Sequence, residues 1–164
     1  MTTLELKRLP DGRLCLSGID DSWQWVLARV PELLAANQPP AVHERLLTDP
    51  SNNAAINRDW REFVVPELEA LWKASHELMA ADLTRLETDP DQPNCARITF
   101  PESHAAAWIS AINQARLALG ARWNVTEADM NRPLWKLGSN QREHDILLIH
   151  LLASVLQLLI EAPL

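Results

Sequence analysis

Arg116 is the side chain whose placement asks most of any fold this chain adopts. At about 100° per residue it falls at the edge of an apolar helical stripe, between Trp123 and Ile109, with Asn113 and Gly120 on the adjoining side. A guanidinium held there unpaired is costly, so it calls for a carboxylate. Asp59, Glu62 and Glu143 are the candidate partners. Two chemistries follow. The expected one is an internal ion pair that ties two helices together. The alternative is an anion pocket in which Arg116 and Asn113 grip a small ligand or a partner's carboxylate.

The histidines offer less. His43, His76, His104, His144 and His150 show neither an HExxH nor a Glu-x-x-His spacing, so no metal site and no cofactor are expected. His150 stands apart because it interrupts an otherwise apolar helix; it reads as a packing histidine or as a titrating group at an interface. Ser75-His76 and Ser103-His104 are sequence neighbours, whose side chains diverge on a helix. No nucleophile elbow, P-loop or GxGxxG is present, and no catalytic residue is nominated.

The elements that would position these groups are mostly helices. Asp145–Ile160 reads DILLIHLLASVLQLLI, without Gly, Pro or a charge after Asp145. Glu143, His150, Ser154, Gln157 and Glu161 share a stripe roughly 60° wide, and apolar side chains cover the rest. Such a helix is expected to be nearly surrounded, by its own chain or by a second copy. His150, Ser154 and Gln157 and the lack of a basic flank argue against a membrane span.

Composition agrees with a soluble helical protein. The 164 residues fit one domain, residues 1–164, and 47% are hydrophobic. Four glycines disfavour an all-β fold. With 22 acidic residues against 15 Lys and Arg, the net charge of −7 excludes the basic footprint of a nucleic-acid binder. Cys15 and Cys95 are too few for a disulfide scaffold and match no zinc spacing; they read as reduced thiols in a cytoplasmic protein. The charged N-terminus lacks a signal peptide's apolar run.

In chain order, Leu4–Arg8 and Arg13–Ser17 alternate around Pro10-Asp11-Gly12, a hairpin signal that gives Leu4, Leu6, Leu14 and Leu16 one buried face. Cys95–Phe100 supplies a third strand, with Cys15 and Cys95 on the outer face. Asp20 or Asp21 caps a helix running to about Asn37, kinked or split by Pro31 and ended by Gln38-Pro39-Pro40. Residues 41–53 are irregular or short helix. Asn53–Val64 is helical, with Ile56, Trp60 and Phe63 apolar; Pro66 opens another helix to about Glu87, burying Leu68, Leu71, Trp72, Leu78, Met79, Leu83 and Leu86. Residues 88–94 form a loop. Pro101 opens a helix to about Trp123, Thr126 caps a short turn, and Ser139 or Asn140 caps the last helix. Of seven tryptophans, Trp25 and Trp135 fit no core stripe, which marks them as candidate interface residues together with His150.

Asn113–Arg122, preceded by Ile112, resembles the Leu-Asn-x-x-Arg-Leu-x-Leu-Gly-x-Arg stretch of a bacterial family known as domain of unknown function 2017. Ala107-Trp108-Ile109 is similar to that family's Ala-Trp-Leu, and Asp59-Trp60-Arg61 to its Glu-Phe-Arg, while Pro66 departs from its polar residue. The Asp-Gly hairpin and the apolar last helix fit as well. The resemblance implies a compact, mainly helical bacterial protein and no activity. It adds Arg61 and Arg122 to the polar cluster of Asp59, Asn113 and Arg116. It also implies a gene neighbourhood that includes a small Clp-protease adaptor. The combined expectation is an α+β domain, predominantly α: a helical bundle with a small antiparallel three-stranded sheet. Its function would be non-enzymatic self-association, as a homodimer, or docking of a protein partner. The alternative is a small-ligand-binding protein or enzyme with its anion pocket at Asn113 and Arg116.

Overall fold

Asp11 and Gly12 reverse the chain as their types require. Gly12 takes φ +83°, its N–H donates to the Leu9 carbonyl at 2.9 Å, and Asp11 Oδ1 accepts from Arg13 N–H at 3.0 Å. In the computed structural model, which describes residues 1–35 and 40–161, this turn joins β1 (Glu5–Arg8) to β2 (Leu14–Ile19), with Leu6 opposite Leu16 and Arg8 opposite Leu14. β4 (Ala96–Phe100) lies antiparallel on the other side of β2. Leu14, Leu16, Ile19, Ile98 and Phe100 are buried in the core.

The sheet has four strands, in the order β1-β2-β4-β3, rather than the expected three. The added β3 (Glu87–Thr88) comes from residues expected at a helix end and in a loop. The physical cause is the turn that follows. Buried Asp89 donates its N–H to the Cys95 carbonyl at 2.9 Å, while its side chain accepts from Asp91 N–H at 3.0 Å. This folds Glu87 onto Arg97, where the two side chains pair at 2.8 Å. Cys15 lies opposite Thr99 and Cys95 in the turn beyond the strand; both thiols are buried and free.

The helices follow local signals closely. Asp20 Oδ1 accepts from Trp23 N–H at 3.0 Å and caps α1 (Asp21–Ala35), which runs through Pro31 without splitting. The expected end at Asn37 to Pro39 falls outside the described residues. α2 spans Pro40–Leu46. Asn53 caps α3 (Ala54–Asp59) by accepting from Ala55 and Ile56 N–H. α3 does not stop before Pro66. It passes through a wide π turn, Trp60–Val64, into α4 (Val65–Leu83). Pro66 has no N–H for an i→i−4 bond, and the Val65 N–H reaches back to the Trp60 carbonyl five residues away.

After a 3₁₀ turn at Glu102–His104, α5 spans Ala105–Arg122. It ends where Asn124, at φ +47°, lets Val125 N–H reach the Gly120 carbonyl at 2.9 Å. Thr126 and Asp129 form a capping box on α6 (Glu127–Met130). A 3₁₀ turn at Leu134–Lys136 leads to α7 (Gln141–Glu161), capped by Asn140 Oδ1 on Glu143 N–H at 3.0 Å.

α5, rather than α7, is the centre of the fold. α1, α2, α4 and α7 all pack on it, and from residue 105 to 120 only Ala106, Asn113 and Leu117 are exposed. α7 packs on α5, α1 and β1, but Leu147, Leu151 and Leu158 are half-buried and Ile160 is exposed, so it is less enclosed than its composition suggests. By length and composition α7 is also apolar enough to cross a bilayer; here Ile146, Leu148, Leu152, Val155 and Leu159 are buried in the protein core. Two buried carboxylates are tied to indoles. Asp82 Oδ2 accepts from Trp108 Nε1 at 2.9 Å and lies 2.8 Å from His104 Nδ1. Asp145 accepts from Trp123 Nε1 at 2.7 Å and from Gln141 Nε2 at 2.9 Å. Trp108 also stacks on Phe100, with centroids 4.7 Å apart.

The register of β2 against β4 shifts between Leu16 and Ile19, and Gly18 sits in the shift at φ +76°. A Cβ at this position would overlap the Thr3 backbone carbonyl. Gly18→Ala is therefore expected to destabilise the protein by about 2 kcal/mol or more, read as a lowered midpoint in urea unfolding.

Candidate functional site

The exposed strip of α5 presents Asn113, Leu117 and half-buried Arg116 one turn apart, with Gly120 next in line. Around this strip the fold closes a cavity of about 410 Å³. Arg45 enters from α2, Asn124 and Val125 from the end of α5, Met130 from α6 and Ile149 from α7. The left-handed Asn124 that terminates α5 thus also lines this cavity. Gly120 faces open space, since a Cβ there would meet no atom within 4 Å.

The cavity's electrostatics are one-sided. No carboxylate lines it, and neither Arg45 nor Arg116 makes an ion pair among the described residues. Arg116 Nε is buried without a hydrogen-bond partner. Burial pushes the Arg116 guanidinium down from its ordinary value. His150 Nε2 is likewise buried without a partner, and burial together with the charge of Arg116 pushes the imidazole down. His150 lines a second cavity, of about 590 Å³, with Thr2, Trp23, Ser154 and Gln157.

The internal pairing expected of Arg116 is therefore not found, because each candidate acid is placed elsewhere. Glu143 accepts from Arg132 at 2.8 Å and from the Ser139 hydroxyl at 2.5 Å. Asp59 and Glu62 are exposed, without an ion pair among the described residues. Arg61, expected near Arg116, instead forms a two-pronged pair with Asp49, at 2.9 and 2.6 Å. Arg122 is exposed on the last turn of α5, favourable for the helix dipole, and outside the cavity. Of the polar cluster read from sequence, only Asn113 and Arg116 line this cavity. Arg45 and Asn124 were missed. Asn124 carried a signal, an Asn directly after an apolar helix, whereas nothing local marks Arg45.

A second feature departs further from expectation. Leu71, read as core, is 63% exposed, and Ile56 and Phe63, read as apolar positions of their helix, are 51% and 65% exposed. α3 and the π turn pack substantially only on each other and on α4, and α4 reaches the body through its C-terminal half, where Met79 and Asp82 are buried. The first part of this continuous helix is an arm. Its base is fixed by Arg61 on Asp49 and by Asn57, whose amide donates to the Ser51 carbonyl at 2.8 Å. Trp25 and Trp135, read as interface residues, are exposed, Trp25 with the Arg29 guanidinium 6.0 Å from its ring centroid. They sit on α1 and on the turn before α7, and neither lines the cavity at Arg116. Among the described residues no His, Cys, Asp and Glu group is arranged to hold a metal ion.

The model of one family, described as Domain of unknown function (DUF2017), matches residues 8–163, a span that contains both the cavity and the arm. No curated protein and no solved structure matches the chain.

The wall beside the cavity is held by two crossed ion pairs, Arg132 on Glu143 and Arg142 on Asp129, the latter at 2.7 Å. Ser139 and Arg132 hold Glu143 down to about 2 from an ordinary 4.5. Arg142 and Thr126 hold Asp129 well below the usual carboxylate range. A depressed carboxylate stabilises the fold at pH values above its unfolded pKa, and that contribution fades as pH falls through the folded one. Thermal stability is expected to fall between about pH 4.5 and 2 on this account. In Glu143→Gln, thermal melts should start lower at pH 7 and lose less across that window than the native chain does.

Proposed function

The chain belongs to the family described as Domain of unknown function (DUF2017), and we propose that it is a non-enzymatic protein-interaction module that self-associates through its helical arm. One observation carries this reading: Phe63 and Leu71 lie on solvent, on a helix with a regular charge pattern. Arg58 and Glu62, and Lys73 and Glu77, are exposed i, i+4 pairs, and three turns separate Glu62 from Lys73. Arg58 and Glu62 make no ion pair among the described residues; Lys73 and Glu77 approach only to 3.8 Å.

A two-fold dimer requires a surface complementary to itself. Laying the arm antiparallel on the arm of a second copy puts Glu62 opposite Lys73 and Arg58 opposite Glu77 in one register, with Phe63 and Leu71 offset by one residue across the seam. Pro66, Ala70 and Ala74, all exposed, offer a low surface between them. Burying two such side chains from each copy contributes roughly 5 kcal/mol, and exposed ion pairs add about 0.2–1 each. Association costs at least about 4 kcal/mol. The dimer is therefore weak, no tighter than about 0.1 mM.

Light scattering across a concentration series is the test. At about a millimolar and above the mass should rise toward twice the 18.5 kDa chain, and it should fall to the monomer on dilution. Phe63→Glu should be monomeric throughout with unchanged circular dichroism. Glu62→Lys and Lys73→Glu should each weaken the dimer, and the double exchange should restore it. A wild-type chain that stays monomeric at every concentration would sink the proposal, and rescue failing in the double exchange would overturn the register.

A further inference from the structure

The cavity at Arg116 is not used by the arm, and its chemistry is of a different kind. Elsewhere in this acidic chain the guanidiniums of Arg8, Arg61, Arg97, Arg132 and Arg142 all find carboxylates. Arg45 and Arg116 both line this cavity, and neither pairs with a carboxylate among the described residues. Half-buried Arg116, its Nε without a partner, is costly unless something negative completes it, and exposed Arg45 adds a second positive charge at the same cavity. The planar guanidinium fork matches the oxygens of a carboxylate or a phosphate. Asn113 and Asn124 add amide donors beside the two cations. Met130 and Ile149 give the same lining an apolar part. The volume, about 410 Å³, falls in the range of small-molecule sites, roughly 300–1,000 Å³.

We propose that this cavity between α2, α5 and α7 is a binding site for a small organic anion, with its phosphate or carboxylate head on Arg45 and Arg116 and its apolar body on Met130 and Ile149. The head is the larger contribution, because charge-assisted hydrogen bonds are about twice as strong as neutral ones. The apolar part of the lining makes an inorganic ion a poorer ligand than an organic one.

Titration calorimetry on the full chain tests this with four probes: phenyl phosphate, benzoate, inorganic phosphate and benzyl alcohol. One of the two organic anions is expected to saturate one site per chain, at least about tenfold tighter than inorganic phosphate or benzyl alcohol. Tighter binding of phenyl phosphate assigns a phosphate head; tighter binding of benzoate assigns a carboxylate head. Arg116→Gln and Arg45→Gln should each weaken binding by about 10- to 100-fold, the loss expected for a hydrogen-bonded charge. Neither should lower the melting temperature, since neither guanidinium holds a carboxylate among the described residues. Gly120→Leu extends a side chain into space that is empty at its Cβ, and it should block binding with both arginines intact. Saturation by neither organic anion below about 10 mM, or an Arg116→Gln chain that binds as the native one does, overturns the proposal.

Discussion

The fold depends on keeping α5 dry. Trp108, Ala111, Ile112, Ala115, Ala118 and Leu119 are buried along its length, and four other helices must reach it to cover them. Alanine at 111, 115 and 118 lets neighbours come close without voids, so that dispersion contacts accumulate across the whole surface. Each fully buried large apolar side chain contributes about 1.5–3 kcal/mol, a large share of a typical net stability. Polar groups drawn into this core are paired with care. Asp82 and Asp145 each hold an indole N–H, which pairs one oxygen of the buried carboxylate and orients a large ring at once.

Against that consistency, two places break the rules that the rest of the chain obeys. At the cavity beside α5, two arginines stand without acids among the described residues. Along the arm, large apolar side chains stand in water. A sequence that specifies its fold well violates local rules mainly where function requires it. The two places lie on different elements, and the occupants proposed for them differ, one an anion and the other an apolar helix with matching charges. They share a foundation, since both are built outward from α5 and α4, whose packed halves are among the better buried parts of the chain.

Some of this was legible without coordinates. The Asp11-Gly12 turn, Asp20 before α1, Thr126 before α6 and Asn140 before α7 all act through bonds within four residues, and local sequence records such bonds. The odd placement of Arg116 was also readable, because helical spacing fixes its angle relative to Trp108 and Ile112. Its missing partner was not. Glu143 looked available to Arg116 and is taken by Arg132 and Ser139, a competition settled by distances between helices. β3 was hidden for a similar reason, as two residues form a strand only once Asp89 has turned the chain onto β4.

Periodicity by itself determined a mostly helical chain with a small antiparallel sheet, and it identified which face of each helix is apolar. Tertiary structure alone decided which of those faces is covered. Ile56, Phe63 and Leu71 carry the same apolar character as Met79, yet the arm holds the first three in solvent while the second half of α4 buries the fourth. Hydrophobic side chains do not encode what lies opposite them; apolar attraction has no direction, and only the path of the whole chain supplies a neighbour or leaves the place open.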